Sequence, residues 1–284
     1  MDNGFRLAAF ADEASSNFDE QIKAMERNGV DMLEVRGVDG ENVAKISSVK
    51  AKEIKRKLDD AGLSVWSVGS PVGKTKIQDD FSFEAEQFKR VLETAYITQA
   101  KCIRLFSFYG TDGKLEYRDE VFERLSRYVE MAKGSDIVLC HENEKGIYGD
   151  IGSRCLEIHR AIPEIKAVYD PANFIQSGQE TLSAWEMLRP YVYYFHIKDC
   201  ADNGSIVPAG RGVGKLPQLI SDYKGLASNV LTVEPHLTKF VGLAALESDG
   251  KSEVGGLSFK NNDEAFDCAV DSLKSIIENI GGGF

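Results

Sequence analysis

The chain has 284 residues and carries 34 basic and 45 acidic side chains, which give a formal net charge of −11. This negative field disfavours nucleic acid and anionic membranes as partners, and no run of about 18 apolar residues could span a bilayer. The five cysteines are scattered without a C-x-x-C pair. That pattern is typical of free thiols in a reducing compartment, so we expect a cytoplasmic protein.

Strand-like and helix-like segments alternate along the whole chain. In the first half, strands are predicted over 5–10, 30–35, 63–68 and 102–106, and helices over 18–28, 49–60, 81–98 and 116–133. In the second half, strands are predicted over 136–142, 165–170, 191–197 and 229–234, and helices over 151–161, 179–188, 215–226 and 263–279. A closed barrel of eight strand–helix repeats needs about 250 residues. The sequence therefore predicts an α/β fold, a TIM (β/α)8 barrel, as one domain over residues 1–284.

Two connections in this pattern are long. Residues 198–214 follow the seventh predicted strand, and residues 235–262 follow the eighth. Long connections in a compact domain are usually either functional or disordered. Both would lie at the C-terminal ends of the strands, which is the face where such barrels carry their active sites.

Each of the last four predicted strands ends in a side chain that can bind a metal ion. These residues are Glu142, Asp170, His196 and Glu234. One imidazole and three carboxylates suit a divalent cation, for which Mn²⁺ is the preferred candidate and Mg²⁺, Co²⁺ and Zn²⁺ are alternatives. The alternative for each carboxylate is an ordinary strand-end residue or a helix cap.

Side-chain alternation adds two residues to this predicted site. Residues two apart on a strand face the same way, so Lys198 should share the direction of His196, and His236 that of Glu234. Lys198 could neutralise a developing enolate or hold a substrate oxygen, and the alternative is a salt bridge to a ligand carboxylate. His236 is predicted to contact the substrate, with a surface-loop histidine as the alternative.

Two further cations precede the predicted ligands in the sequence. Lys74 lies in a loop after the third strand and is predicted to contact the substrate, with a solvated loop lysine as the alternative. Arg104 lies inside the fourth strand, where an unpaired charge is costly. It either pairs with Glu34 or Glu142 or contacts the substrate, and the carboxylate pairing is preferred.

A glycine-rich segment, residues 208–215, precedes the seventh predicted helix. Its sequence, Pro-Ala-Gly-Arg-Gly-Val-Gly-Lys, combines a flexible backbone, a helix N-terminus and cations, which are the parts of an anion-binding loop. Arg211 is therefore predicted to bind the substrate, and the alternative is a loop that only caps the helix. The segment does not follow a strand directly, which argues against a dinucleotide-binding fold.

Four short motifs carry the predicted ligands: His141-Glu142-Asn143, Tyr169-Asp170-Pro171-Ala172-Asn173, Phe195-His196-Ile197-Lys198-Asp199 and Val233-Glu234-Pro235-His236. Through them, nearly the whole chain resembles the sugar phosphate isomerase/epimerase family of the xylose-isomerase-like TIM barrel superfamily. The resemblance implies that the four predicted ligands are the metal ligands of that group. Asn173 stands where ketose epimerases of the group often have histidine, and it is predicted to bind the substrate. Residues 201–203, Ala-Asp-Asn, stand where those epimerases tend to have an arginine, so the substrate stays open.

The resemblance and the ligand set predict a metal-dependent sugar isomerase or epimerase. It would act on a keto-sugar or related polyol through a cis-enediolate. Glu142 and Glu234 are the predicted acid/base pair, because they come from the outer two of the four ligand strands and could flank the substrate. Asp170 and His196 would then only position the cation.

Three other functions are compatible with the same barrel. A metal-dependent lyase would follow the same proton abstraction with loss of water, as in inosose dehydration, or with loss of a C-linked aglycone. An endonuclease IV-like repair enzyme is disfavoured by the net charge of −11 and by the small number of strong ligand candidates. A non-catalytic sugar-binding barrel is disfavoured by the carboxylates at the ligand positions. The predicted partner is a small-molecule carbohydrate, and homo-oligomer formation is left open.

Overall fold

The computed structural model describes residues 4–241, 243 and 257–284 of the chain. Eight parallel strands close into a barrel in which each strand pairs with its neighbours in sequence and the last pairs with the first. The barrel strands are β1 (Arg6–Ala9), β2 (Met32–Val35), β3 (Ser64–Gly69), β4 (Cys102–Leu105), β5 (Val138–Glu142), β6 (Lys166–Tyr169), β7 (Val192–Ile197) and β8 (Val230–Val233). This closed arrangement confirms the predicted TIM (β/α)8 barrel.

Helices alternate with these strands. In the described residues the α-helices are α1 (Phe18–Arg27), α2 (Ser48–Asp60), α3 (Phe81–Thr98), α4 (Arg118–Ala132), α5 (Gly152–Ala161), α6 (Pro171–Gln176), α7 (Thr181–Leu188), α8 (Leu216–Tyr223) and α9 (Asn262–Asn279). None of them combines the length and the apolar character that crossing a membrane requires.

Polar side chains fix where several helices begin. Asn17, Ser47 and Asn261 each accept a hydrogen bond from the backbone N–H three residues further on. Such a bond satisfies a donor that the first helical turn leaves without an intrahelical partner. The predicted starts of α1, α2 and α9 therefore agree with the structure to within one residue.

Helix α6 is absent from the sequence prediction. It starts directly after β6, where the Asp170 side chain accepts a hydrogen bond of 2.8 Å from Asn173 N and Pro171 occupies the first turn. A cap and a proline at N1 together begin a helix, even though the helix has only six residues. A predicted metal ligand therefore also acts as a helix cap.

The inside of the barrel is divided into two layers. The lower layer belongs to a buried apolar cluster that includes Met32, Cys102, Cys140 and Tyr194. Two residues further along the same strands stand Glu34, Arg104, Glu142 and His196, all of them buried. Residues two apart on a strand face the same way, so these ionisable groups form the upper layer. The apolar layer closes the barrel below a buried charged site at its C-terminal end.

The predicted long connection 198–214 is partly folded. It contains an antiparallel pair of short strands, Asp199–Cys200 with Ile206–Val207. The other long connection, residues 235–262, lies partly outside the described residues.

Candidate metal centre

The four predicted metal ligands converge at the C-terminal end of the barrel. Glu142 ends β5, Asp170 directly follows β6, His196 lies in β7, and Glu234 directly follows β8. Each offers a ligand atom, and these atoms all lie within 4.8 Å of one another. His196 Nδ1 is 3.1 Å from Glu142 Oε1 and 3.4 Å from Glu234 Oε2. The four residues are at most 3% exposed, so they form a buried cluster of ligand-type atoms.

Two of these ligand-type atoms lack hydrogen bonds. Asp170 Oδ2 and His196 Nδ1 are fully buried, and neither has a hydrogen-bond partner among the described residues. Asp170 Oδ2 does lie 2.8 Å from Lys198 Nζ, but without the angles of a hydrogen bond. Buried polar atoms are normally satisfied, and a bound cation would satisfy both. The donor set therefore fits a divalent metal ion.

The orientation of His196 is set by Glu34, a residue that the sequence suggested only as a partner of Arg104. His196 Nε2 lies 3.2 Å from Glu34 Oε2. The other oxygen of Glu34 accepts hydrogen bonds from Tyr194 Oη at 2.8 Å and Ser67 Oγ at 3.1 Å. A carboxylate that fixes one ring nitrogen of a histidine leaves the other nitrogen for a metal, which is a recurrent arrangement in metal sites.

Charge coupling within the cluster changes the pKa of each group. Burial works to raise the pKa of Glu142, but the charges of His196 and Arg104 outweigh it and lower the pKa to about 2. Burial raises the pKa of Asp170 to about 7 despite nearby Lys198. Burial works to lower the pKa of His196, but Glu142 and Glu34 raise it well above its ordinary value. Metal binding must therefore displace a proton from the imidazole.

Two buried arginines hold the outer glutamates. Arg104 Nη1 donates to Glu142 Oε2 at 3.0 Å, so the structure bears out the predicted carboxylate pairing. Arg36 Nη1 donates to Glu234 Oε1 at 3.2 Å. No role was predicted for Arg36, which ranks beside Glu34 as a functional candidate that sequence reasoning missed.

Lys198 and His236 both lie beside Glu234. Lys198 Nζ is 3.3 Å from Glu234 Oε2 and 2.8 Å from Asp170 Oδ2, so it makes salt bridges to candidate ligand carboxylates. Its contact with the substrate stays a prediction. His236 Nε2 is 3.6 Å from Glu234 Oε1 and 3.4 Å from Glu13 Oε1, and its ring stacks on Phe240. Burial and neighbouring cations lower the pKa of His236 well below its ordinary value, so the ring is neutral.

A cleft lined mainly by charged and polar side chains opens onto the cluster. Four of the residues predicted to bind the substrate line it: Lys74, Asn173, Lys198 and His236. Lys74 pairs with Glu144 at 3.0 Å, and Asn173 Nδ2 donates to Glu142 Oε1 at 3.2 Å. The cleft therefore combines cations, an amide and carboxylates, which suits a ligand with several oxygens.

Arg211, the fifth predicted substrate residue, is exposed and lies outside the lining of the cleft. The glycine-rich loop around it does bind an anion, but the anion is the side chain of Asp199. Gly210, Gly212 and Gly214 donate their backbone N–H groups to this carboxylate at 2.9–3.0 Å. The loop is already filled by the protein itself, so the structure does not bring it to the site.

Comparison with known protein families gives a match over most of the chain. A family model described as xylose isomerase-like TIM barrel matches residues 22–247. No curated protein sequence matches the chain.

Solved structures of the same fold cover almost the entire chain. An L-ribulose 3-epimerase is 14% identical in sequence, covers 98% of this chain and 96% of its own, and has a TM-score of 0.76. The probable 3-DHS dehydratase AsbF from Bacillus anthracis is 15% identical, with coverages of 95% and 98% and a TM-score of 0.72. The IOLI protein with a bound zinc atom is 15% identical, with coverages of 97% and 99% and a TM-score of 0.72. At these identities the likeness shows the fold.

Proposed function

Because the chain belongs to the xylose isomerase-like TIM barrel family, we propose that it is a metal-dependent isomerase or epimerase of a keto-sugar or related polyol. Glu142, Asp170, His196 and Glu234 would hold the cation. Mn²⁺ is the first ion to test, and Zn²⁺ is tested beside it because the IOLI structure contains zinc.

One observation carries this proposal. Glu142 and Glu234 approach the same imidazole nitrogen of His196 from two different strands, at 3.1 and 3.4 Å. Both carboxylates also line the cleft. Two carboxylates beside one cation site are the groups that a two-base proton transfer needs.

When bound, the cation would lower the pKa of the C–H between a substrate carbonyl and an adjacent hydroxyl. One of Glu142 and Glu234 removes that proton and becomes a carboxylic acid. The other, which must carry a proton in the substrate complex, gives it either to the opposite face of the same carbon or to the neighbouring carbon. In the second case the substrate's hydroxyl proton also moves to the former carbonyl oxygen. The first outcome is epimerisation and the second is isomerisation. Lys198 places a positive charge in the cleft, which stabilises the oxygen that becomes negative in the cis-enediolate.

Deuterium incorporation tests the two-base assignment. Turnover of a ketose and inosose panel in D₂O with added Mn²⁺ should place solvent deuterium at the reacting carbon.

Glu142→Gln and Glu234→Gln should each lower the rate by about 10²–10⁴-fold, the range for general acid–base groups. They should also differ in which epimer still exchanges its C–H. Glu157→Gln, which changes a carboxylate outside the cleft, is the control. Near-wild-type turnover by either site variant would contradict the assignment.

A lyase is the second candidate, and the position of Lys198 favours it. After the same proton abstraction, a β-hydroxyl could leave as hydroxide, and an ammonium group in the cleft would stabilise the departing negative charge. Product analysis separates the two functions, because a lyase yields a product that has lost water whereas an isomerase or epimerase conserves the substrate's atoms.

A further inference from the structure

Three phenylalanines and two arginines alternate beside the candidate metal centre. The Arg36 guanidinium lies 4.2 Å from the ring centre of Phe10 and 4.8 Å from that of Phe240. The Arg104 guanidinium lies 5.3 Å from the ring centre of Phe10 and 4.8 Å from that of Phe106. We refer to the series Phe240, Arg36, Phe10, Arg104, Phe106 as the aromatic–arginine column. Phe10, which is fully buried, is the ring that both arginines share.

Each arginine of the column binds one oxygen of a glutamate and leaves the other oxygen directed at His196. Arg104 binds Oε2 of Glu142, whose Oε1 is 3.1 Å from His196 Nδ1. Arg36 binds Oε1 of Glu234, whose Oε2 is 3.4 Å from the same nitrogen. In each of the two proposed bases, one carboxylate oxygen therefore binds an arginine and the other lies at the cation site.

The arginines are themselves held in place. Arg36 makes a two-pronged pair with Asp12, at 2.9 Å for each bond, and a further bond of 2.9 Å to Glu13. Arg104 donates to the carbonyl of Ser70 at 3.3 Å. Both arginines are at most 3% exposed. A planar guanidinium that is stacked and bonded in this way has little freedom, so it can impose a direction on a carboxylate.

The column also reaches the imidazole of the centre. The ring of Phe10 meets the ring of His196 edge to face, with centres 5.1 Å apart. Gly69 makes room for this contact, because a Cβ there would lie 2.5 Å from the Phe10 ring. Phe10 therefore touches both arginines and one candidate ligand, although it has no polar atom of its own.

Arg36 also occupies a position that a second cation would need. Glu13, Glu234 and His236 form a second group with ligand atoms within 4.8 Å of one another. The guanidinium already lies 2.9 Å from Glu13 Oε1 and 3.2 Å from Glu234 Oε1. A metal ion placed there would face a fixed positive charge at close range. The Arg36 guanidinium thus supplies the positive charge beside the second group. The first group, Glu142, Asp170, His196 and Glu234, is therefore the site where we expect one metal ion.

We infer that the aromatic–arginine column is a positioning device that makes Glu142 and Glu234 single-oxygen ligands. This inference rests on the proposed function. Freed from its arginine, either carboxylate would turn its second oxygen towards the cation and bind through both oxygens. Metal affinity would then be kept, but the carboxylate would no longer be placed to exchange a proton with the substrate.

Manganese binding and turnover test this inference in Arg104→Lys, Arg36→Lys and Phe10→Leu. The measurements are Mn²⁺ affinity and stoichiometry by titration calorimetry, the Mn²⁺ electron paramagnetic resonance spectrum, and kcat. We expect one Mn²⁺ per chain at near-wild-type affinity, a changed spectrum, and kcat lowered by about 10²-fold, the usual effect of a misplaced catalytic group.

Arg124→Lys is the matched control. Arg124 is also buried, lies between two rings (Phe81 at 5.6 Å and Phe108 at 5.4 Å), and pairs with Glu120, but it does not line the cleft. Its spectrum and kcat should match the wild type.

The outcomes separate the inference from the proposed function. A wild-type protein that binds no divalent cation would overturn the proposed function, and the inference with it. A wild type that binds Mn²⁺, together with column variants of unchanged spectrum and kcat, would overturn the inference alone. Column variants that fold but lose Mn²⁺ would also overturn it, since the column would then only support the site. Thermal unfolding identifies any variant that does not fold, and the column variants that do fold decide the case.

Discussion

Lys198 places its ammonium nitrogen 2.8 Å from Asp170 Oδ2, on a carboxylate that is also a candidate metal ligand. Burial works to lower the pKa of Lys198, but Asp170 and Glu234 outweigh it and raise the pKa well above its ordinary value. The lysine is therefore positively charged at neutral pH. A divalent cation that enters the centre must share these carboxylates with the lysine ammonium. The repulsion between the two positive charges therefore lowers the affinity for the metal.

Removing this charge should separate metal binding from catalysis. We expect Lys198→Met, which keeps an unbranched apolar side chain, to bind Mn²⁺ more tightly than the wild type. Its turnover should fall by about 10²–10³-fold, the range for losing one group that stabilises a developing oxyanion. Calorimetry and steady-state kinetics measure the two effects. Lys74→Met is the control for affinity, because Lys74 lines the cleft but pairs with Glu144. Weaker Mn²⁺ binding by Lys198→Met would contradict the prediction.

Glu34 should control metal affinity through His196. Glu34→Gln keeps the shape of the side chain but removes the charge that fixes the imidazole, so we expect Mn²⁺ affinity to fall by about 10–100-fold. His196→Ala should abolish binding. Glu84→Gln is a matched control, since Glu84 is also buried and accepts a hydrogen bond of 2.8 Å from a tyrosine, Tyr128. Full metal occupancy in His196→Ala would rule out the proposed centre.

The barrel and the four candidate ligands could be predicted because both follow from local patterns. A short apolar run such as Val230–Val233 indicates a buried strand, and the next residue, Glu234, falls at the strand end. Parallel strands of a barrel bring such ends together, so local position was enough to predict that the four side chains converge. The metal itself stays a prediction.

Glu34 and Arg36 could not be assigned in the same way because their partners are distant in sequence. Glu34 binds His196 across 162 residues, and Arg36 binds Glu234 across 198. Strand alternation gave one usable signal, since Glu34 stands two residues after buried Met32 and so faces the same interior. Which group it would meet there depends on how the barrel closes.

The surroundings of Arg211 were hard to predict for a similar reason. A glycine-rich loop with cations predicts an anion, but the sequence does not say which one. The carboxylate of Asp199, 11 to 15 residues before the three donating glycines, reaches the loop because the chain turns back through a hairpin. An internal carboxylate therefore binds the donors of this loop, and the substrate contact of Arg211 stays a prediction.

A methyl group at Gly212 should disrupt this loop. A Cβ there would overlap Asp199 Oδ1 and the Cys200 carbonyl, so the loop must move and weaken its bonds to Asp199. We expect Gly212→Ala to lower the free energy of unfolding by about 1–3 kcal/mol, the usual cost of overpacking. Urea denaturation measures the change. Gly283→Ala, where a Cβ meets nothing within 4 Å, is the control, and equal stability of the two variants would contradict the prediction.

Acid should destabilise the protein through His159, which lies on α5 away from the candidate metal centre. Its Nδ1 lies 3.0 Å from the Ile165 carbonyl, its ring stacks on Tyr191, and its Nε2 has no hydrogen-bond partner among the described residues. Burial lowers the pKa of His159 from 6.5 to about 4, so the ring is neutral in the folded protein.

The unfolded chain therefore binds more protons than the folded protein between about pH 6.5 and pH 4, and stability falls as the pH is lowered through that window. The loss amounts to about 3 kcal/mol, since each unit of pKa difference is worth about 1.4 kcal/mol. His159→Gln cannot titrate, so its free energy of unfolding should fall less over the same range. Urea denaturation at pH 7, 6, 5 and 4 gives both curves, and subtracting them removes the contributions of groups that do not interact with His159. Parallel curves would show that His159 is not the titrating group.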